Sequence, residues 1–337
     1  MTSGALMAGI LGGLGGSPAV SPAAQAWLRG QAALQRGQLG DAVRELRIAA
    51  DLGLPPAWAW LALALVEQGA LADAVEAGGR ALALDARTPE VTGAVSLALT
   101  RGGRAGEGVE LAVRTLRQDP SNQHAAIALL AQGPQVLNRG LEAIALARSK
   151  GGPPESEFLV ELNAANLLEA AGRPGDAADA FLRALRFAPA QLRGSGLAAM
   201  TLESAARNRY RAGQLREARV LAERAVTGEP GVARAHATLG AIAIAEGGHV
   251  QAREHFRAAL SRRRDRLAAS ELAAGLQQEA ERTGSAVFSF YAAWVLREAG
   301  DHGAARERFL ALRARSGTLP VTLRDEVIQA VGDGGAR

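Results

Sequence analysis

Cysteine is absent from the 337-residue chain, and lysine occurs once, as Lys150. Without cysteine the protein has no disulfide bond, no thiolate nucleophile and no cysteine-ligated metal. Apart from histidine, every other basic residue is an arginine, as GC-rich coding produces. Guanidinium groups keep their proton and raise the isoelectric point to about 10.4, although the net charge is only +4. Composition alone therefore does not indicate a nucleic-acid-binding protein.

Aromatic residues are also scarce, at 4% of the chain, whereas hydrophobic residues reach 48%. Alanine, glycine and leucine must then fill the core, and small residues suit closely approaching helices better than wide sheets. No apolar run reaches the roughly 20 residues that a membrane-spanning helix needs. These features favour an all-α protein without a transmembrane segment.

The N-terminal stretch has two interpretations. Residues 5–14 are apolar, and Ala24-Gln25-Ala26 has the small-x-small form of a signal-peptidase site, but no basic residue precedes the apolar run. Residues 1–22 are therefore expected to be either a flexible tail or part of a signal segment. Cytoplasmic and periplasmic locations both stay open.

A repeated pattern runs through the rest of the chain. A glycine is followed five residues later by alanine, then by another apolar residue and a second alanine, as in "GALADAVEAGGRALALDA" at 69–86. Glycine permits a turn between two helices, and alanine permits their close contact. The first alanine of the pattern falls at Ala42, Ala74, Ala177, Ala218, Ala252 and Ala305, with Gly108 in the same place.

These units resemble the tetratricopeptide repeat family, whose unit is a helix–turn–helix of about 34 residues. One stretch that fits the family pattern well is 58–89, through Trp58, Leu61, Ala62, Leu65, Gly69, Ala74, Ala81 and Pro89. The resemblance covers residues 23–319. It implies an all-α, right-handed and elongated solenoid of about eight repeats, with a degenerate repeat at about 123–154 and an extra helix at about 267–282. A capping helix and tail are expected over 320–337.

Catalytic chemistry has no visible signature. The phosphate-binding, zinc-protease and nucleophile-elbow patterns are missing, and no two histidines have the spacing of metal ligands on one helix. We therefore expect no enzyme activity, no metal and no cofactor.

Family resemblance does point to groove residues on the first helix of each repeat. Applied to the best-aligned repeats, it implies that partner contacts come from Trp27, Trp60, Asn163, Asn166, Arg207, Tyr210, Arg211, Phe290, Tyr291, Trp294 and Arg297, with Glu67, Glu169, Glu203 and Glu298 beside them. Asn163 and Asn166 resemble the asparagines of the family's carboxylate clamp, but both lie on one predicted helix and the clamp lysines are missing. They are expected to be ordinary groove residues.

The aromatic group at 290–294 allows two interpretations. Its members share a helical face with Arg297, while Ala292, Ala293 and Leu296 occupy the stacking side, so the group is predicted to form the strongest contact patch. The alternative is that the extra helix at 267–282 covers this face and buries the aromatic rings.

Charge is distributed unevenly. Residues 186–266 carry 15 arginines against 7 acidic residues, most densely in "SRRRDR" at 261–266. This imbalance favours an acidic protein segment as the partner, while nucleic acid is a weaker candidate because no aromatic residues alternate with the arginines. The sequence thus predicts a bacterial, non-catalytic scaffold that binds a helix or extended segment of another protein. A structural subunit of an envelope, pilus or secretion assembly is the alternative, and an RNA-binding repeat protein is a more distant one.

Overall fold

The computed structural model describes residues 21–85, 87–149, 156–192, 195–228, 233–261 and 268–332. These residues form eighteen α-helices and two short 3-10 turns, without a β-strand in the described ranges. Almost all of the predicted tail or signal segment, residues 1–22, lies outside them, as do Arg262, Arg263 and Arg264 of the basic stretch. No helix in the described part of the chain is both long and apolar enough to cross a membrane.

The chain forms two compact units, Met1–Asn163 and Ala164–Arg337. The helices that begin in the first unit are α1 (Pro22–Gln35), α2 (Leu39–Asp51), α3 (Pro55–Gln68), α4 (Leu71–Leu84), α5 (Pro89–Arg101), α6 (Ala105–Gln118), α7 (Gln123–Leu130), α8 (Pro134–Arg148) and α9 (Glu157–Ala170). The division between the units falls inside α9. In this unit each odd-numbered helix is the first helix of its repeat. Helix α3 contacts α5, and α5 contacts α7.

The second unit continues the helix pairs with one interruption. Its helices are α10 (Pro174–Phe187), α11 (Gly196–Arg211), α12 (Leu215–Gly228), α13 (Ala233–Ala245), α14 (His249–Ser261), α15 (Ala269–Thr283), α16 (Ala286–Glu298), α17 (His302–Arg313) and α18 (Val321–Gly332). The described helices make eight pairs, with α15 standing between two of them. The last helix, α18, packs on α17 and buries Leu323 and Val327. The predicted all-α repeat architecture is therefore confirmed.

Left-handed glycines make the turns within the pairs. Gly69 has φ 82° and Gly213 has φ 79°, a conformation that side chains with a Cβ rarely adopt. Comparable glycines lie between the two helices of seven pairs, at Gly37, Gly69, Gly103, Gly172, Gly213, Gly247 and Gly300. Proline begins several of the helices, where its missing N–H group costs no intrahelical hydrogen bond.

The first alanine of the repeat pattern, or Gly108 in its place, is the fourth residue of the second helix of its pair. All are buried: Ala42, Ala74, Gly108, Ala177, Ala218, Ala252 and Ala305. In the pair formed by α7 and α8, the fourth residue of the second helix is Leu137, also buried, and α7 has only eight residues. This substitution explains why the sequence pattern fades between residues 123 and 148.

Close helix contact can be tested at two glycines of the second unit. A Cβ atom at Gly240 would lie 2.4 Å from a ring carbon of the fully buried Phe256, whereas a Cβ atom at Gly275 would meet nothing within 4 Å. Gly240→Ala is expected to lower the free energy of unfolding by about 1–3 kcal/mol through overpacking. Gly275→Ala should leave it unchanged or raise it by up to about 1 kcal/mol, because alanine is the better helix former.

Urea denaturation followed by helical circular dichroism measures both effects. Equal stabilities of the two variants would show that helices α13 and α14 are not held at the close distance described here.

Candidate partner-binding site

Helices α11, α13 and α15 enclose a pocket in the second unit with a volume of about 400 Å³. We call it the α11 pocket. Three residues singled out from the sequence, Arg207, Tyr210 and Arg211, line it together with Glu203, all from α11. The other lining residues lie on α13 and α15: Arg234, Ala237, Thr238, Ala241, Glu271, Leu272, Ala274, Gly275, Leu276, Gln278 and Glu279.

Glu169 of α9 connects the two arginines of the pocket wall. Arg207 donates from Nη1 to Glu169 Oε1, and Arg211 Nη1 lies 3.3 Å from the same oxygen. Arg207 also reaches Glu203 Oε1 from its Nε at 3.4 Å. Burial opposes the positive charge of Arg207, but the carboxylates of Glu203 and Glu169 outweigh it and raise the pKa of the guanidinium group. Both arginines are thus already paired with carboxylates of the chain.

The remaining charges of the α11 pocket are paired as well. The carboxylate of Glu203 is buried and accepts a hydrogen bond of 2.9 Å from the Thr238 hydroxyl. Arg211 approaches Glu279 at 3.5 Å, and Arg234 pairs with Glu271 at 3.1 Å on the exposed rim. Three arginines therefore face three glutamates in the lining, and the pocket carries no net charge.

Tyr210 closes one side of the pocket with its ring under a guanidinium group. The Arg282 guanidinium carbon lies 5.6 Å from the ring centroid, a cation–π distance. Burial of the phenol, aided by the nearby Glu279 carboxylate, raises the pKa of Tyr210 to about 12. The hydroxyl is therefore neutral at physiological pH and offers a hydrogen bond, not a charge.

The two tryptophans chosen from the sequence lie in the first unit. Trp27 is only 2% exposed and Trp60 is half-buried, and both line a slot of about 160 Å³. Trp60 and Glu67 also border a larger groove of about 720 Å³ with an apolar lining that includes Leu63, Leu97 and Ile127. The structure brings Trp27 and Trp60 together, but only Trp60 offers substantial surface.

Asn163 does not lie open in a groove, contrary to the prediction. Its side chain is 2% exposed, and its amide donates a hydrogen bond of 3.0 Å to the carbonyl of Pro120. Asn122 makes the same kind of link, with a 2.9 Å hydrogen bond to the carbonyl of Pro89. Both asparagines satisfy a carbonyl of an earlier repeat, so Asn163 is a structural residue. Asn166, one turn further along α9, is half-buried.

The predicted aromatic contact patch is also wrong as an exposed surface. Phe290 and Tyr291 are 0% exposed and Trp294 is 1% exposed. The Tyr291 ring packs against Phe256 of α14, the Phe290 ring against Phe309 of α17, and Tyr291 donates a hydrogen bond of 3.1 Å to the carbonyl of His249. These neighbours come from α14 and α17, so helices on both sides bury the face that was expected to be open.

Arg297 and Glu298 are engaged within the chain at this same end. Arg297 pairs with Glu326 of α18 at 3.2 Å, and Glu298 pairs with Arg257 of α14 at 2.8 Å. Glu326 additionally accepts from Arg253, whose guanidinium group lies over the Trp294 ring at 5.6 Å. The group 290–298 therefore forms the end of the core and the attachment of α18.

Sequence reasoning missed the half of the α11 pocket that α13 and α15 supply. Helix α15 has the place of an insertion in the repeat pattern, so the pattern does not predict Leu272, Leu276 and Glu279 as wall residues. Thr238 was missed because its role, a hydrogen bond to Glu203, joins residues 35 positions apart. The sequence feature that could have indicated these wall residues was the position of α15 directly before α16, the helix that carries Phe290, Tyr291 and Trp294.

No family model matches the sequence, and no curated protein does. Solved structures of repeat proteins are similar to it. A tetratricopeptide repeat protein from Parabacteroides merdae is 16% identical, with a TM-score of 0.46 over 72% of this chain and 93% of that chain. PilF of Pseudomonas aeruginosa is 17% identical, with a TM-score of 0.43 over 60% of this chain and 88% of that chain. A human IFIT1 dimer with PPP-AAAA is 18% identical, with a TM-score of 0.39 over 93% and 71%.

All three TM-scores lie below 0.5, so the class of the protein is defined by its own helices. Helix pairs follow one another in order, glycines with positive φ connect them, and small residues are buried at equivalent places. The chain is a tetratricopeptide-like helical repeat protein.

Burial of the aromatic helix has a direct consequence for stability. Trp294→Ala should lower the free energy of unfolding by about 3–5 kcal/mol, because it removes a fully buried ring and leaves a cavity. Phe187→Ala is the matched control, since that ring is 46% exposed and its loss should cost about 1 kcal/mol or less. Thermal unfolding followed by circular dichroism distinguishes them, and an unchanged melting temperature for Trp294→Ala would contradict the buried arrangement.

The two tyrosines of the chain make a second measurement possible. Burial raises the pKa of both Tyr210 and Tyr291. An unfolded tyrosine loses its proton near pH 10, while folded Tyr210 keeps it until about pH 12, so the unfolded state binds fewer protons in this window. The folded protein should therefore show less phenolate absorbance at pH 10 than the unfolded chain, and its stability should fall as the pH rises from 10 to 12.

Tyr210→Phe isolates the signal of Tyr291 in this titration. Phenolate absorbance at pH 10 in the folded protein equal to that of the unfolded chain would contradict the burial of both rings.

Proposed function

We propose that the chain is a non-catalytic scaffold that holds a segment of a partner protein in the α11 pocket. The observation that carries this proposal is a concave pocket of about 400 Å³ with an apolar floor and walls whose charges are paired with one another. Pockets of this kind bind mainly through shape and apolar contact, while their polar groups fix orientation. The helical repeat supplies a rigid frame for such a surface.

The paired charges argue for binding over chemistry. Glu203 accepts from Thr238 and faces Arg207, and Glu279 faces Arg211 and Arg282. A general base or nucleophile needs a carboxylate or hydroxyl that is open to a substrate. Here the charged atoms hold helices together, and their net effect on an incoming segment is to orient it.

The floor of the pocket indicates what the partner presents. Ala237 and Ala241 of α13 face Leu272 and Leu276 of α15, so the space between them suits an apolar side chain. An acidic segment, the partner expected from the arginine content, has to compete with Glu169 for the two arginines of α11. We therefore propose that an apolar side chain on a helix or extended segment of the partner inserts between α13 and α15.

Site-specific crosslinking tests this proposal and does not require the partner to be identified first. A photoreactive phenylalanine analogue at Gln278, an exposed residue of the pocket rim, is expected to form a discrete adduct in the native cell. The same analogue at Val220 of α12, which is 54% exposed and outside the pocket, should not form that adduct.

A second substitution links the adduct to the pocket. Ala274 is exposed and lines the α11 pocket, so Ala274→Trp fills the space without disturbing the core and should abolish the adduct at Gln278. Persistence of the adduct in this variant, or identical adducts from Gln278 and Val220, would rule out the pocket as the binding site.

A further inference from the structure

A small slot in the first unit combines aromatic surface with acidic groups. It lies between the first helices of the first two repeats and the turn that leads into α5, and its volume is about 160 Å³. We call it the tryptophan slot. Its lining consists of Trp27, Gln31, Pro55, Pro56, Ala59, Trp60, Asp85, Thr88, Glu90 and Val91. Two carboxylates and no basic side chain are present in this lining.

Asp85 keeps its negative charge in this position. The Thr88 hydroxyl donates to it, as do the backbone N–H groups of Arg87 and Thr88, at 2.9 and 3.0 Å. These hydrogen bonds, with that of the Thr88 hydroxyl foremost, hold the pKa of Asp85 below its ordinary value. The Asp85 carboxylate is therefore ionised at physiological pH, and the positive charge of the neighbouring Arg87 acts in the same direction.

Glu90 adds a second carboxylate that is open to solvent. It is the second residue of α5, and its side chain is exposed. Within the described residues it makes no ion pair, whereas Glu45 of the same unit pairs with Arg29. Glu90 thus has both carboxylate oxygens free for a cation.

A second tryptophan on α3, the helix of Trp60, shows that a tryptophan ring beside a carboxylate can hold a guanidinium group. Trp58, two residues before Trp60 on α3, has the guanidinium group of Arg80 over its ring, 4.7 Å from the centroid. Glu76 holds that guanidinium group in place at 2.7 Å. Trp58, Arg80 and Glu76 form a complete arrangement of ring, cation and carboxylate. The tryptophan slot has the ring and the carboxylates, and its lining contains no cation.

We propose that the tryptophan slot binds an arginine side chain of a partner protein. The guanidinium group stacks on Trp60 and pairs with Glu90, while the aliphatic part of the side chain lies against Pro55 and Pro56. Arginine suits this site better than lysine because its planar group can stack on a ring and form two parallel hydrogen bonds with one carboxylate. The inference concerns a different surface from the α11 pocket and stands or falls independently of it.

A titration with small probes tests the proposal directly. The protein has four tryptophans, so its four indole N–H signals can be followed by ¹⁵N-edited NMR, and Trp60→Phe assigns one of them. N-acetyl-arginine amide should shift the Trp60 signal in a saturable way. N-acetyl-citrulline amide has the same shape without the charge and should bind at least about fivefold more weakly, as expected for loss of a cation–π contact and an ion pair.

Two variants separate the slot from a general charge effect. Glu90→Gln removes the carboxylate from an exposed position, where it does not threaten folding, and should weaken binding of the arginine probe by about fivefold. Glu76→Gln is the matched control, because it changes the neighbouring carboxylate beside Trp58 and should leave the affinity of the slot unchanged.

Three results would overturn the proposal. These are equal binding of the arginine and citrulline probes, an unchanged affinity in Glu90→Gln, and no saturable shift of the Trp60 signal. Equal weakening by Glu90→Gln and Glu76→Gln would likewise show only a general attraction between the probe and an acidic surface.

Discussion

Close approach of neighbouring helices at small residues is the constraint on which the rest of the structure depends. A Cβ atom at Gly30 would lie 2.6 Å from the side chain of Leu46, and one at Gly240 would lie 2.4 Å from Phe256. At such distances the backbone of one helix serves as packing surface for the side chains of the next. The scarcity of aromatic residues follows from this constraint, because a large ring at most contacts would force the helices apart.

The α11 pocket is a consequence of the same small residues. Ala237, Ala241, Ala274 and Gly275 leave space where longer side chains would meet between α13 and α15. Charged side chains at the edge of this space reach one another, and Glu169 receives both Arg207 and Arg211. The small residues thus leave the cavity, and long charged side chains around it pair with one another.

Much of the fold is predictable from the sequence because each repeat carries its own signal. The glycine at the turn and the small residue five positions later have local reasons, and both occupy the expected places in seven pairs. No local feature of the sequence predicts which faces of a helix are covered by other helices. Phe290, Tyr291 and Trp294 share a face by periodicity, yet α16 is buried all round, since Ala292, Ala293 and Leu296 are covered too. The positions of the neighbouring helices α14, α15 and α17 decide this, and the contact of α14 with α16 joins residues distant in sequence, such as Phe256 and Tyr291.

The candidate sites show the same limit for charge. Counting residues 186–266 gives an excess of arginine and favours an acidic partner, but charges act in space and not along the chain. Arg207 and Arg211 face Glu169, which lies outside that segment, and Arg211 also faces Glu279 from beyond its other end. Conversely, the stretch around Glu90, which has no charge excess, contributes to a slot without any basic residue in its lining. In the described residues of these two sites, the arginines of α11 are paired within the chain, while the carboxylate of Glu90 in the lining beside Trp60 has no ion-pair partner.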